Sequence, residues 1–110
     1  MTTTLPPRNE VPVEQTWDLS SIFATPADWE AACQQVIANL PALSAYQGKL
    51  GSNPQKLLEY INLFQEAATL AGKTMVYASN AYAVDTLDQT AAARAGQVRG
   101  LMARFAAATA

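Results

Sequence analysis

The side chains that most often perform catalysis or bind metals are scarce in this sequence. Its 110 residues include no histidine, so the chain can supply neither a Ser/His or Cys/His nucleophile pair nor a histidine metal ligand. Cys33 is the only cysteine, which excludes an internal disulfide and a cysteine zinc cluster. Catalysis by this chain alone therefore has to use carboxylates, tyrosines and lysines.

Cys33 could act as a nucleophile only next to a base, in an electropositive site. No lysine or arginine lies near it in sequence, and it falls between Trp29 and Val36 on an apolar helical stripe. We therefore expect Cys33 to be a small residue of the core rather than a reactive thiol.

Two carboxylates, Asp85 and Asp88, lie close together at a predicted helix boundary. Their spacing could bind a cation or transfer a proton. The same spacing is typical of residues that cap a helix and order the turn before it, and we favour that interpretation.

Three tyrosines, Tyr60, Tyr77 and Tyr82, give one predicted helix an aromatic face. Such a face can line a ligand groove, but at helical spacing it is more often part of a core, which is the interpretation we favour.

Three arginines recur every five residues, at Arg94, Arg99 and Arg104. On a helix each is rotated by about 140° from the one before, so they form no basic stripe for phosphates. The sequence also has no glycine-rich phosphate loop and no metal-ligand spacing. We therefore assign no catalytic, cofactor-binding or metal-binding residue in this chain.

The charge balance bears on partners and location. Seven basic and nine acidic side chains give a net charge of −2, so we expect neither nucleic acid nor an anionic membrane surface as a partner. No apolar targeting segment opens the chain, and the longest uncharged stretch, residues 31–48, contains too many polar residues to span a membrane. The single cysteine fits a reducing, cytoplasmic setting.

Residues 1–24 are predicted to form an extended arm. Prolines disfavour helix there, and apolar residues alternate with polar ones from Val11 to Leu19. Because the arm also carries Trp17, Ile22 and Phe23, we expect it to pack on another surface, with a turn at residues 19–23.

A first helix is predicted over residues 26–47, with Thr25 as its N-cap and Pro26 at its first position. Pro41 should kink or restart this helix near Asn39, and Gly48 should end it. One apolar stripe follows a spacing of four and three, through Trp29, Cys33, Val36, Leu40 and Leu43.

A second helix is predicted over residues 54–84, beginning at a cap formed by Ser52 or Asn53. One apolar stripe continues without a slip across Gly72, so this is a single helix. A second apolar stripe lies about 110° around the helix from the first, so we expect this helix to pack against two neighbouring helices. The first stripe is Leu57, Ile61, Phe64, Ala68, Ala71, Met75, Ala78 and Tyr82; the second is Tyr60, Leu63, Ala67, Leu70, Thr74, Tyr77, Ala81 and Val84.

A third helix is predicted over residues 89–110. Ala91, Ala95, Val98, Met102 and Phe105 form its apolar stripe, and small residues that allow a close helix contact recur at Ala92, Gly96 and Gly100. The second helix, about 46 Å long, exceeds the roughly 34 Å diameter of a compact domain of this size, and the third has no stop signal. We therefore expect a fragment of a larger all-α protein, with the arm at residues 1–24 and three antiparallel helices within residues 25–110.

Residues 8–23 (RNEVPVEQTWDLSSIF) resemble the opening of the oligoendopeptidase F family of zinc metallopeptidases. Trp29, the Gly-Lys-Leu at 48–50, the Tyr-Ala-Ser at 77–79 and the Asp-Thr at 85–86 fit the same family. The resemblance is most specific at residues 16–19 (TWDL), and none of it is a catalytic motif.

The resemblance implies a longer helical zinc enzyme that hydrolyses short peptides, with this chain as its N-terminal portion. Members carry His-Glu-x-x-His, in which two histidines bind zinc and the glutamate activates water. No residue here matches that motif, so we expect this chain alone to bind no zinc and to be inactive. Its helices are expected to form part of the cleft wall or cover, with the rest of the peptidase as partner.

A different class of function remains open. The chain could be a free-standing helical interaction module, without catalytic activity, that covers its apolar surface by dimerising. A reading frame that continues past Ala110 and encodes His-Glu-x-x-His would favour the peptidase.

Overall fold

The computed structural model describes residues 5–110, and these contain three α-helices and no β-strand. The helices are α1 (Pro26–Ser44), α2 (Pro54–Val84) and α3 (Gln89–Thr109). The predicted all-α class is confirmed. The first four residues of the predicted arm lie outside the described residues, and the division into an arm and a helical domain at residue 24 stays a prediction.

The first two helices begin where their capping residues place them. The Thr25 hydroxyl accepts a hydrogen bond of 3.1 Å from the Asp28 amide, and the Asn53 side chain accepts one of 2.9 Å from the Gln55 amide. Each cap is followed by a proline, which loses no helical hydrogen bond at that position. Asn53 rather than Ser52 is therefore the cap of α2.

The end of α1 differs from the prediction. Pro41 lies inside α1, which neither restarts near Asn39 nor reaches residue 47, but ends at Ser44. Gly48, with a φ of +77°, lies in the turn that follows. The helix continues past Pro41 but ends within one turn of it, at Ser44. Gly48 therefore does not end the helix; its positive φ lets the chain change direction in the turn between α1 and α2.

The three helices pack in the predicted antiparallel order. The start of α1 lies beside the second half of α2: the Trp29 indole N–H donates a hydrogen bond of 2.9 Å to the Thr74 carbonyl. The start of α2 in turn contacts the end of α3, where the ring centroids of Phe64 and Phe105 lie 5.7 Å apart. As a result α3 runs alongside α1, and Gln97 donates hydrogen bonds to the Glu30 carboxylate.

The predicted stripes of α1 and α3 form the core. Every member of the α1 stripe is buried. In α3 the stripe is buried except at Met102, which is half-buried, and Leu101 joins it. The second stripe of α2 is buried at its centre, at Ala67, Thr74 and Tyr77.

The first stripe of α2 departs from the prediction. It is buried only at Ala71 and Ala78, while Leu57, Ile61 and Met75 expose 41–42% of their surface. Both predicted neighbours are present, but α1 and α3 lie on the same side of α2, centred on the second stripe. The helix is continuous across Gly72, as the unbroken spacing predicted.

The arm is less extended and less packed than predicted. Three short 3-10 turns interrupt it, at Arg8–Glu10, Val13–Gln15 and Leu19–Ser21, the first two following prolines and the third capped by Asp18. The predicted turn at 19–23 is confirmed, and Ile22 and Phe23 pack on the core. The expected packing of Trp17 is wrong, because 80% of its surface is exposed.

The assembled chain is elongated. Its radius of gyration is 17.9 Å and its longest dimension is 66 Å. A compact domain of the same length has a radius of gyration of about 13 Å. The long α2 accounts for this shape, because its 31 residues alone extend over about 46 Å.

Candidate functional site

Cys33 is a core residue and not a nucleophile in this structure. It exposes only 1% of its surface, between the helical neighbours Trp29 and Val36. Burial, with a smaller contribution from the Glu30 carboxylate, raises the pKa of the Cys33 thiol to about 11. At neutral pH the sulfur is therefore protonated and unreactive, as expected for a structural cysteine.

The two carboxylates at the boundary between α2 and α3 act as local caps. Asp88 accepts hydrogen bonds of 2.9 and 3.1 Å from the Thr90 and Ala91 amides at the start of α3. Asp85 accepts one of 3.1 Å from the Leu87 amide in the turn. The capping interpretation is confirmed: each carboxylate bonds to backbone amides of its own turn, and the pair forms no shared site.

The three tyrosines do not line one groove. Tyr77 is buried near the start of α1, with its ring centroid 5.6 Å from that of Phe23 and 6.3 Å from that of Trp29. Tyr60 contacts Tyr46 at the other end of the bundle, at a centroid distance of 5.7 Å. Tyr82 is half-buried at the end of α2. The core interpretation is thus confirmed for Tyr77, whereas Tyr60 belongs to a separate, half-buried aromatic cluster.

The small residues of α3 do not make the close helix contact that their spacing allows. Gly96 and Gly100 are exposed, and a Cβ atom built on either meets no atom within 4 Å. The reason is that α1 and α2 pack on the face of α3 that carries Ala95 and Val98. The close contact that this spacing allows is therefore not formed at Gly96 or Gly100 within the part of the chain that the structure describes.

The arginines of α3 also form no common anion site. Arg99 and Arg104 are exposed and Arg94 is half-buried. Within residues 5–110 the only ion pair joins Lys56 to Glu59, at 3.5 Å.

A metal site in this chain would need several acidic or cysteine side chains to converge. Among the described residues, no three of them come together as a group that could hold a metal ion. With no histidine in the sequence, these residues do not fit a catalytic zinc site.

None of the described helices is both long and apolar enough to cross a membrane.

A groove of about 600 Å³ at one end of the bundle was not foreseen from the sequence. It lies between the turn after α1 and the last turn of α3, and its lining includes Tyr46, Leu50, Tyr60 and Ala107. No charged side chain lines it. The groove can hold apolar groups and offer tyrosine hydroxyls, but no carboxylate lines it that could activate water for hydrolysis.

These observations define an elongated arrangement of three helices in which the described residues bring no group of metal ligands together. In sequence the chain is similar to Oligopeptidase PepF from Bacillus subtilis (strain 168), with 35% identity over 74 residues. The matched stretch covers 67% of this chain but only 11% of that relative. The match supports a relation between this chain and a part of an oligopeptidase.

Two further comparisons found nothing. No protein-family model matches the chain. No solved structure matches it either.

Proposed function

We propose that this chain is the N-terminal helical segment of a zinc-dependent oligoendopeptidase that hydrolyses short peptides. The observation that carries the proposal is the 35% identity to an oligopeptidase over 74 residues, a stretch that is 11% of that relative's length. A segment of this kind needs no catalytic residues, which agrees with a sequence that lacks histidine. The catalytic centre and its zinc ligands then belong to the rest of the polypeptide.

Within that enzyme the helices act as part of the wall or cover of the substrate cleft. An elongated chain with a longest dimension of 66 Å can extend along a cleft and limit entry to short or unfolded peptides. The partner of the segment is the remaining peptidase chain, and the substrates of the whole enzyme are short peptides. We place the enzyme in the cytoplasm, in line with the single, buried thiol of this chain.

The test uses the complete product of the reading frame that contains these residues. That product should hydrolyse a short fluorogenic peptide, should lose the activity with a chelator, and should leave the same peptide sequence uncut inside a folded protein. Equal cleavage of both substrates would refute the covering role, and the absence of chelator-sensitive hydrolysis would refute the peptidase.

The second candidate is a free-standing helical module that dimerises. The apolar residues exposed on α2 favour it, because an unpartnered apolar helix face is typical of an interaction surface. A reading frame that encodes only these helices, together with a dimer in solution, would support this candidate.

A further inference from the structure

One side of α2 is left without a partner by α1 and α3. From Leu57 onward, ten residues of α2 lie within one 100° arc of its surface, at 100° per residue. We call this arc the uncharged face of α2; it consists of Leu57, Leu58, Ile61, Gln65, Ala68, Gly72, Met75, Val76, Ser79 and Ala83.

The uncharged face is apolar and accessible over most of its length. Eight of its ten residues are exposed, Gly72 is half-buried, and Ala68 is half-buried against the core. Its large side chains are accessible as well, from 41% of the surface at Ile61 to 51% at Leu58. The charged residues of α2 all lie outside the arc, at Lys56, Glu59, Glu66 and Lys73. A solvated helix face normally carries such charges, so this face has the composition of a packed one.

The shape of the face suits another helix. Small residues, Ala68, Gly72 and Ser79, lie along its middle, and a Cβ atom built on Gly72 meets nothing within 4 Å. Bulky side chains flank these small residues: Leu57, Leu58 and Ile61 stand at one end of the face, and Met75 and Val76 at its two edges. A shallow centre beside a bulky end allows a second helix to approach to the 8–10 Å typical of helix packing.

The area of the face is small for a second copy of the chain. Its five large apolar side chains expose between 41% and 51% of their surface. At roughly 60–120 Å² per fully exposed apolar side chain, they offer roughly 120–310 Å². A stable interface between separate proteins buries about 800 Å² on each partner, of which about 450 Å² is apolar. A covalently attached segment needs far less area, because the linker holds it at an effective concentration of about millimolar.

We infer that the uncharged face of α2 is the surface on which an apolar, uncharged helix from the remaining part of the longer polypeptide packs. The inference rests on the proposed function, under which most of the polypeptide lies outside these residues, as most of the relative lies outside the match. The contact with the rest of the polypeptide is thus assigned to the uncharged face of α2 and not to its other sides.

Cysteine accessibility in the complete polypeptide tests this assignment. Met75→Cys and Ser79→Cys probe the uncharged face, and Asn62→Cys probes the exposed polar side of the same helix as the matched control. Maleimide labelling of each cysteine is followed by mass spectrometry of the peptide that carries it, relative to its rate in denaturant. We expect labelling at 75 and 79 to be at least tenfold slower than at 62.

Two outcomes would overturn the inference. Equal rates at all three positions would show that the face is free. Protection at 75 and 79 that increases with protein concentration would show that a second copy covers the face. Peptide hydrolysis by the same preparations separates this result from the proposed function. An active enzyme with equal labelling at all three positions refutes the docking surface alone. An inactive protein with protected cysteines at 75 and 79 refutes the peptidase alone.

Discussion

The Trp29 indole N–H donates a hydrogen bond of 2.9 Å to the backbone carbonyl of Thr74, which joins the start of α1 to the second half of α2. Trp29 is also the largest fully buried side chain of the core. The two residues are 45 positions apart, so this single bond fixes the relative register of the two helices.

Replacing Trp29 tests that relationship. Trp29→Phe removes the donor and part of the buried ring, and should lower the free energy of unfolding by about 1–3 kcal/mol. Urea unfolding followed by circular dichroism measures the loss. Trp17→Phe is the matched control, because Trp17 is 80% exposed and its replacement should change stability by less than about 0.5 kcal/mol. Equal effects at both positions would contradict the assigned role of Trp29.

Two glycines should respond to alanine with opposite signs. Gly72 has helical backbone and open space where a methyl group would be added, so Gly72→Ala in the 110-residue chain should raise stability by up to about 1 kcal/mol. Gly48 has a φ of +77°, so Gly48→Ala should lower stability by about 1 kcal/mol. Thermal unfolding of both variants measures the difference. A loss at Gly72 would mean that α2 is not continuous there.

Cys33 should make stability depend on pH in the alkaline range. Its pKa is raised from an ordinary value of 9.0 to about 11, so the folded state keeps the thiol protonated where the unfolded state ionises it. The stabilisation from this protonated thiol is complete below about pH 9 and is lost as pH rises to about 11. Comparing urea midpoints of the native chain and Cys33→Ala isolates this contribution from other groups that titrate there. Parallel curves for the two proteins between about pH 8 and 11 would count against a buried, protonated thiol.

Asp88 should contribute to stability as the cap of α3. Asp88→Ala removes the acceptor of two amide hydrogen bonds and should lower the free energy of unfolding by about 1 kcal/mol. Asp88→Asn keeps an acceptor oxygen and should lower the free energy of unfolding by only about a few tenths of 1 kcal/mol. Chemical denaturation of the two variants separates capping from charge; a similar loss in both would indicate that the negative charge matters more than the hydrogen bonds.

The helices were predictable because their signals are local. Capping residues and prolines set the starts of α1 and α2, and the bounds of α2 agree with the prediction at both ends. Periodicity also identified the buried stripe that contains Cys33 and Val36. The early end of α1 was missed because Pro41 and Gly48 compete as stop signals, and sequence alone does not rank them.

The uncovered side of α2 was not predictable from the sequence. Local periodicity shows that two stripes exist, but which one receives α1 and α3 depends on the geometry of the whole bundle. The aromatic pair Phe64 and Phe105 illustrates this, because it brings α3 against a residue of the first stripe. The end groove was missed for the same reason: it forms where distant segments meet around Tyr46 and Tyr60.

The central claim is that the chemistry of the parent protein lies outside these 110 residues, and metal content tests it most directly. We expect elemental analysis of the complete polypeptide to find one zinc ion per chain, removable by a chelator together with peptide hydrolysis. The isolated 110-residue chain should contain no zinc and should cleave nothing. Stoichiometric zinc or chelator-sensitive hydrolysis in the isolated chain, or a complete polypeptide without zinc, would contradict this account.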